Sequence, residues 1–308
     1  MKTAFLFPGQ GSQFAGMGKS LADNFPAARA CFEQADDAVG FALSKMCFEG
    51  PEEDLKKTEF QQPALLAVSV AACTVLKDIV GEPQYVAGHS LGEYSALVAA
   101  GAIGFGEALR LVNKRGRYMQ EAVPPGVGAM AALLRLPEGK LEGILAEAAQ
   151  GEVVTPAGIN SPDQIVISGN HAAVARAVEL AKGAGAKRAI LLPVSAPFHC
   201  SLMKPAQERL LVELKATPFS DLRIPLINNW QAREIHTGDE AREGLYHQVP
   251  NPVRWTETIG YLAAQGVQRW FEAGAGAVLS GLLRTIVAGA KCTPFGDAGD
   301  AAKLNATA

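Results

Sequence analysis

Tyr85-Val86-Ala87-Gly88-His89-Ser90-Leu91-Gly92-Glu93-Tyr94 is the stretch on which the reading of this chain turns. Tyr85–Gly88 reads as a short buried strand, and the small and apolar residues 91–100, closed by Gly101, read as a helix. Between them, Gly88-His89-Ser90-Leu91-Gly92 matches Gly-x-Ser-x-Gly at a strand-to-helix turn, the context in which the pattern has mechanical meaning. Such a turn lifts the serine hydroxyl clear of the sheet and aims main-chain N–H groups at a reacting carbonyl oxygen. The plainer alternative is a serine that only caps the following helix. The flanking strand and helix favour the nucleophile.

Outward from this turn, short apolar runs alternate with longer helical patterns, which predicts an α/β fold with a mainly parallel sheet. Residues 3–7 read as a strand entering the Gly-rich turn Pro8-Gly9-Gln10-Gly11-Ser12-Gln13. Residues 63–80 read as a buried helix with Pro63 near its first turn, and residues 107–121 as a helix ended by Pro124-Pro125. Between Pro124 and Ser195 the rhythm changes to strand, helix, strand, strand, helix, strand, over residues 128–136, 137–150, 153–159, 164–168, 171–183 and 187–193. That is the ferredoxin-like order, expected as a small inserted α+β unit. Strands near 225–228 and 270–272 return to the large unit, and residues 296–308 read as a loose tail.

Composition excludes several classes. The 308 residues carry 28 Lys and Arg against 31 Asp and Glu, a net charge of −3 that points to no nucleic-acid or membrane-surface partner. The five cysteines are scattered without a Cys-x-x-Cys, so a disulfide framework or zinc site is not expected, and no other metal-ligand spacing occurs. The apolar N-terminal run ends at Pro8-Gly9, too short for a secretory signal, and the uncharged run 63–76 is shorter than the roughly 20 residues of a spanning helix. A cytoplasmic protein is expected. Gly18-Lys19-Ser20 mimics the end of a P-loop but has Gln13 where the first Gly belongs, and two Gly-rich turns fail as dinucleotide fingerprints at Phe14 and Leu279.

A serine needs a base. Of five histidines, His199 stands just after a strand in Pro197-Phe198-His199-Cys200, where an α/β site gathers its loops. The alternative is a satisfied structural histidine. His89, next to Ser90, is expected to point elsewhere and at most to support the site. Cys200 reads better as a small buried hydrophobe than as a rival nucleophile. No acid stands out for a triad: Asp163 falls in the inserted unit, so a Ser90–His199 dyad is expected.

The helix 107–121 holds the most informative charge. On a wheel of roughly 100° per residue with Ala108 at zero, Val112 falls near +40°, Met119 near +20° and Arg115 near −20°. Arg110, Asn113, Lys114 and Arg117 take the opposite face. A guanidinium inside an apolar stripe needs an anionic partner. That partner is either an internal Asp or Glu or a carboxylate brought by substrate and held bidentately. Beside Ser90, the second reading suggests a dicarboxylic half-thioester as acyl donor.

Taken in order, Phe7-Pro8-Gly9-Gln10-Gly11-Ser12-Gln13, Gly88-His89-Ser90-Leu91-Gly92-Glu93-Tyr94, Lys114-Arg115-Gly116, Asn160-Ser161-Pro162, Pro197-Phe198-His199 and Asn251-Pro252-Val253-Arg254-Trp255 resemble the malonyl-CoA:acyl carrier protein transacylases over nearly the whole chain. The resemblance implies a hydrolase-like α/β catalytic domain, residues 1–124 and 196–308, with a ferredoxin-like subdomain inserted at 125–195. It implies Ser90 as nucleophile, His199 as base, the backbone N–H groups of Gln10 and Leu91 as oxyanion donors, and Arg115 as the malonyl-carboxylate site. Gln248 matches a position lining the site, where backbone carbonyls orient the histidine in place of an acid; Asn160 faces the cleft from the insert; Phe198 resembles the malonyl-selective form. Malonyl-CoA and holo acyl carrier protein are the implied partners, CoA and phosphopantetheine serving as substrate carriers with no cofactor, and a monomer is expected. The same chemistry could serve a polyketide synthase or a malonate decarboxylase; a serine thioesterase and a non-catalytic acyl-binding module are readings of other classes. Gly274-Ala275-Gly276-Ala277 and Asn228-Asn229-Trp230-Gln231 depart from the family pattern, and neither is expected to touch the chemistry.

Overall fold

A computed structural model describes residues 1–194 and 196–306; Ser195, the last residue of the expected insert, and the final two residues lie outside the described residues. Among these residues ten strands form two sheets: β1 Lys2–Phe7, β2 Tyr85–Gly88, β3 Gly128–Leu134, β4 Val154–Ser161, β5 Gln164–Asn170, β6 Arg188–Leu191, β7 Leu226–Ile227, β8 Glu234–Ile235, β9 Val267–Ala273 and β10 Cys292–Phe295. The larger sheet runs β10-β9-β1-β2-β7-β8, parallel except where β7 pairs with β8. The smaller, β4-β5-β3-β6, is antiparallel throughout, with helices Leu141–Ala149 and His171–Gly183 packed together beside it. The fold is therefore α/β with a mainly parallel sheet and a second, ferredoxin-like α+β layer.

Both central strands of the large sheet, β1 and β2, are almost wholly apolar and buried, as a sheet covered on both faces requires. They end side by side, Phe7 opposite Gly88, which brings the Gly9-Gln10 turn against the Ser90 turn. The approach is close enough that a Cβ on Gly9 would lie 2.4 Å from the His89 carbonyl oxygen. Here the absence of a side chain is a packing requirement.

Two elements differ from expectation. The helix read from Pro63 begins five residues earlier and spans Thr58–Val80, with Pro63 inside it. Proline leaves the Glu59 carbonyl without its i+4 donor; the Asn113 side-chain amide donates to that oxygen at 2.8 Å instead. This helix has the length and hydropathy of a membrane span, but 67% of its most apolar window is buried inside the fold, as in a core helix. The residues read as a loose tail contain helix Ala298–Asn305, capped by Asp297 accepting from the Asp300 N–H and docked through buried Ala301. Its first N–H reaches Ser20 Oγ at 3.1 Å, a contact across 278 residues that no local pattern discloses.

Candidate active site

Ser90 occupies the turn from β2 into helix Leu91–Ala99 with φ 51° and ψ −107°, a conformation costly for a non-glycine residue. Two glycines make the turn possible: a Cβ on Gly88 would lie 1.9 Å from the Gly92 carbonyl carbon, and one on Gly92 would lie 2.0 Å from the Phe7 carbonyl oxygen. The strained backbone is clamped on both sides. Ser90 N–H donates to Asn229 Oδ1 at 2.7 Å, and the Ser90 carbonyl accepts from Gln248 Nε2 at 2.9 Å. The first clamp corrects an expectation, because Asn229 belongs to the stretch that was to stay clear of the chemistry. The short strand β7 delivers it beneath the nucleophile.

On Ser90 Oγ two side chains meet. His199 Nε2 is 2.8 Å away, and Arg115 Nη2 donates to the same oxygen at 3.2 Å. His199 itself stands at φ 59°, and its Nδ1 lies 3.0 Å from the Gln248 carbonyl oxygen. That carbonyl accepts only from a protonated Nδ1, which leaves Nε2 as the lone-pair nitrogen facing the hydroxyl. Burial first, and the Arg115 charge second, push His199 down to about 3, so the imidazole is neutral at neutral pH and ready to take a proton.

Arg115 is wholly buried, as the wheel requires, and no carboxylate lies within ion-pair distance of it among the described residues. Its partners are neutral oxygens: Gln62 Oε1 at 2.7 Å, Gln248 Oε1 at 2.8 Å and the Ser90 hydroxyl. Its Nε has no hydrogen-bond partner among the described residues, and the guanidinium lies 5.2 Å from the Tyr94 ring centroid. A cation whose donors bond to neutral oxygens can exchange them for a carboxylate, which adds charge–charge attraction and can be held bidentately. The internal ion pair that was the alternative reading is not what surrounds it.

The cleft above these groups has a volume of about 750 Å3 and is lined by Gln10, His89, Ser90, Asn160, Phe198 and His199 together with Lys56, Met130 and residues 192–194. Both sheets contribute to its walls. Arg115 and Gln248 lie under this lining, reached through Ser90. Gln10 and Leu91 flank the nucleophile, and among the described residues neither backbone N–H has an acceptor. His89 turns away from Ser90, as expected: its Nε2 lies 2.8 Å from Asn160 Oδ1 and its ring meets Trp255 edge-on at 5.5 Å. Burial lowers His89, which keeps it uncharged there. Phe198 is buried at the cleft wall, and Cys200 is a buried thiol donating to the Pro197 carbonyl.

Sequence reasoning missed three residues at the floor: Gln62, Asn229 and Glu93. Glu93 is wholly buried, accepts from Gln248 Nε2 at 2.8 Å and from the Asn229 N–H at 3.1 Å, and has no partner at Oε1. Burial pushes it up to about 7, against the pull of those two hydrogen bonds and of Arg115. A signal was present, since Glu93 is the one charge in a helix otherwise built of small and apolar residues.

Comparison with known proteins agrees with this geometry. The family model for the acyl transferase domain matches residues 4–291. A malonyl CoA-acyl carrier protein transacylase of Escherichia coli K12 is 49% identical over 285 residues, 92% of each chain. The solved malonyl CoA-acyl carrier protein transacylase of Coxiella burnetii superposes with a TM-score of 0.96 at 44% identity, covering 100% of this chain and 96% of that one. A malonyl-transacylase solved in complex with a type II polyketide-synthase acyl-carrier protein gives 0.96 at 44%, covering both chains completely. Likeness of this extent, over a floor that joins a strained serine, a neutral histidine and an unpaired buried arginine, makes the chain a member of the acyl transferase domain family, among the malonyl CoA-acyl carrier protein transacylases.

Proposed function

We propose that this chain transfers a malonyl group from malonyl-CoA to the phosphopantetheine thiol of holo acyl carrier protein, through a malonyl ester on Ser90, and so supplies fatty acid synthesis. One observation carries the reading: His199 Nε2 and Arg115 Nη2 both contact Ser90 Oγ, at 2.8 and 3.2 Å. Nucleophile, base and carboxylate-binding cation thus share one atom.

In the first half-reaction the Ser90 oxygen attacks the thioester carbon as its proton passes to His199 Nε2. The negative charge on the former carbonyl oxygen falls between the N–H groups of Gln10 and Leu91, each worth about 3–4 kcal/mol in comparable sites. Collapse expels the CoA sulfur, which leaves with the proton held by His199. In the second half-reaction His199 takes the proton of the phosphopantetheine thiol, whose sulfur attacks the ester carbon; Ser90 Oγ departs and recovers a proton from His199. The malonyl carboxylate takes the Arg115 donors now bonded to Gln62, Gln248 and Ser90. Gln248 orients His199 through its carbonyl, Asn160 holds His89 in the wall, and Phe198 narrows the acyl pocket. The reading assigns no step to a metal or redox cofactor.

We assign residues 1–124 and 196–308 to the catalytic domain and 125–195 to the insert, with the cleft between their sheets. The five cysteines are all free thiols, which supports a reducing, cytoplasmic setting, and a monomer supplies every group the mechanism uses. A second acceptor is favoured by the relative solved with a polyketide-synthase carrier; rates with carriers of both kinds separate the two. Intact-protein mass spectrometry tests the reading directly. Malonyl-CoA is expected to add one malonyl mass to the wild type and none to Ser90→Ala, and an adduct on Ser90→Ala refutes it.

A further inference from the structure

Among the buried ionisable groups that the mechanism leaves unused, Glu93 is the one joined to Arg115. Glu93 and Arg115 are both wholly buried, and one side-chain amide joins them: Gln248 Nε2 donates to Glu93 Oε2 at 2.8 Å, and Gln248 Oε1 accepts from Arg115 Nη2 at 2.8 Å. A charge taken out of water needs a counter-charge. Had the acid touched the guanidinium, it would have filled the donors a substrate carboxylate must use. Set one amide away, it balances the charge and leaves those donors on displaceable neutral oxygens.

Resting on the reading of Arg115 as the malonyl-carboxylate site, we propose that Glu93 is the relayed counter-ion of Arg115 and takes up a proton when an acyl carboxylate seats on the guanidinium. The floor holds one positive and one negative charge before binding. The incoming carboxylate would leave two negative charges against one positive in a space of low dielectric. A proton from solvent on Glu93 converts carboxylate to carboxylic acid and restores the balance.

The structure supplies the place for that proton. Glu93 Oε1 is buried without a hydrogen-bond partner among the described residues and faces Gly244, where even an added Cβ would stand 3.7 Å away. The surroundings hold few competing titrants. Helix Phe105–Glu121 presents Arg115. Helix Gly238–Gln248 presents Gly244 and Gln248, and the turn after β7 presents Asn228 and Asn229, none of them titratable. On its own helix Tyr94 is pushed up by burial to about 12 and stays protonated. His199 is held far below neutrality, and Glu93 itself stands at about 7, within reach of a modest electrostatic change. An acyl group without a carboxylate makes no such demand, so proton uptake distinguishes malonyl from acetyl binding.

Calorimetry on Ser90→Ala, which binds without reacting, tests this in two buffers of different ionisation enthalpy. At pH 8, malonyl-CoA is expected to bind with uptake approaching ~1 proton per site, and acetyl-CoA with none. Malonyl-CoA affinity then falls up to about tenfold per pH unit above neutrality while acetyl-CoA affinity stays level. Adding Glu93→Gln, which keeps the acceptor geometry without a titrating group, removes the uptake and the pH dependence. If that variant does not fold, infrared difference spectra of Ser90→Ala answer the same question: a protonated-carboxyl band must appear on adding malonyl-CoA and not acetyl-CoA. Tighter binding of malonyl-CoA without proton uptake, or without the band, overturns the counter-ion role and leaves the Arg115 reading standing. Equal binding of the two thioesters, unchanged by Arg115→Ala, overturns both.

Discussion

Two glutamates among the described residues are buried completely, and their surroundings could hardly differ more. Glu272, on β9, closes the N-terminus of helix Val278–Ile286: Oε1 accepts from Leu279 N–H at 2.9 Å, and Oε2 from Ser280 N–H and Oγ, each at 2.7 Å. Both oxygens are occupied by donors that the fold fixes, at the positive end of a helix. Glu93 has one oxygen occupied and one bare, and its best donor also serves the nucleophile and the arginine. The first site is closed and can only stabilise. The second has open valences, and those are what a ligand can change. The contrast separates structural from functional burial better than burial itself, which is the same for both.

The largest effect that can sharpen this contrast belongs to the open region. His199→Ala is expected to lower malonyl and acetyl transfer alike by on the order of 10^4-fold, because the base acts on the thioester and not on the acyl tail. A preferential loss of one donor in steady-state rates would move His199 into acyl recognition.

Next comes the closed region. Glu272→Ala leaves two buried N–H groups and a hydroxyl without their anion, and charge-assisted bonds are worth about 1.5–3 kcal/mol each. A loss of about 3–5 kcal/mol in urea unfolding is expected, with the malonyl-to-acetyl rate ratio of the folded fraction unchanged. A shift in that ratio would break the comparison, because it would give a sealed site a voice in selectivity.

Arg115→Ala is the intermediate case. It is expected to lower the malonyl-to-acetyl ratio about 100-fold, about 2.7 kcal/mol. Equal losses with both donors, measured as kcat/KM, would return Arg115 to a structural role.

These expectations rest on features of unequal legibility in the sequence. The Ser90 turn was readable because Gly88 and Gly92 are required by close approach and the strand and helix flank them within ten residues. Arg115 was readable because one charge broke an apolar stripe of helical period. The second, antiparallel sheet was readable from its order of strands and helices alone. What escaped was long-range and made of amides. Asn229 reaches Ser90 across 139 residues, and Gln62 lies just ahead of the helix start read at Pro63, in a first turn that the proline conceals. Glu93 lies three residues beyond Ser90 in the same motif, and its partners, Gln248 and Asn229, are more than 130 residues away in the chain. The C-terminal helix escaped for another reason, since small polar residues form a helix there only because a cap and a contact to Ser20 hold it.

The smallest effect distinguishes the two regions in the unfolding equilibrium itself. Glu93 has its folded value raised, to about 7 from an ordinary 4.5, so the folded state favours the protonated acid. Its contribution is fully present below the ordinary value and is lost as pH rises from about 4.5 to 7. His199 has its folded value depressed, to about 3 from 6.5, so its contribution is present above 6.5 and is lost as pH falls toward 3. Between pH 4.5 and 6.5 the two slopes oppose each other, each at most about 1.4 kcal/mol per pH unit. Glu93→Gln removes one of them. Relative to wild type, the variant is expected to gain stability as pH rises from 4.5 to 7 and to hold a constant margin above that, as measured by urea midpoints across the range. A margin that does not change with pH would mean that Glu93 keeps one protonation state throughout, and that its bare oxygen is as inert as those of Glu272.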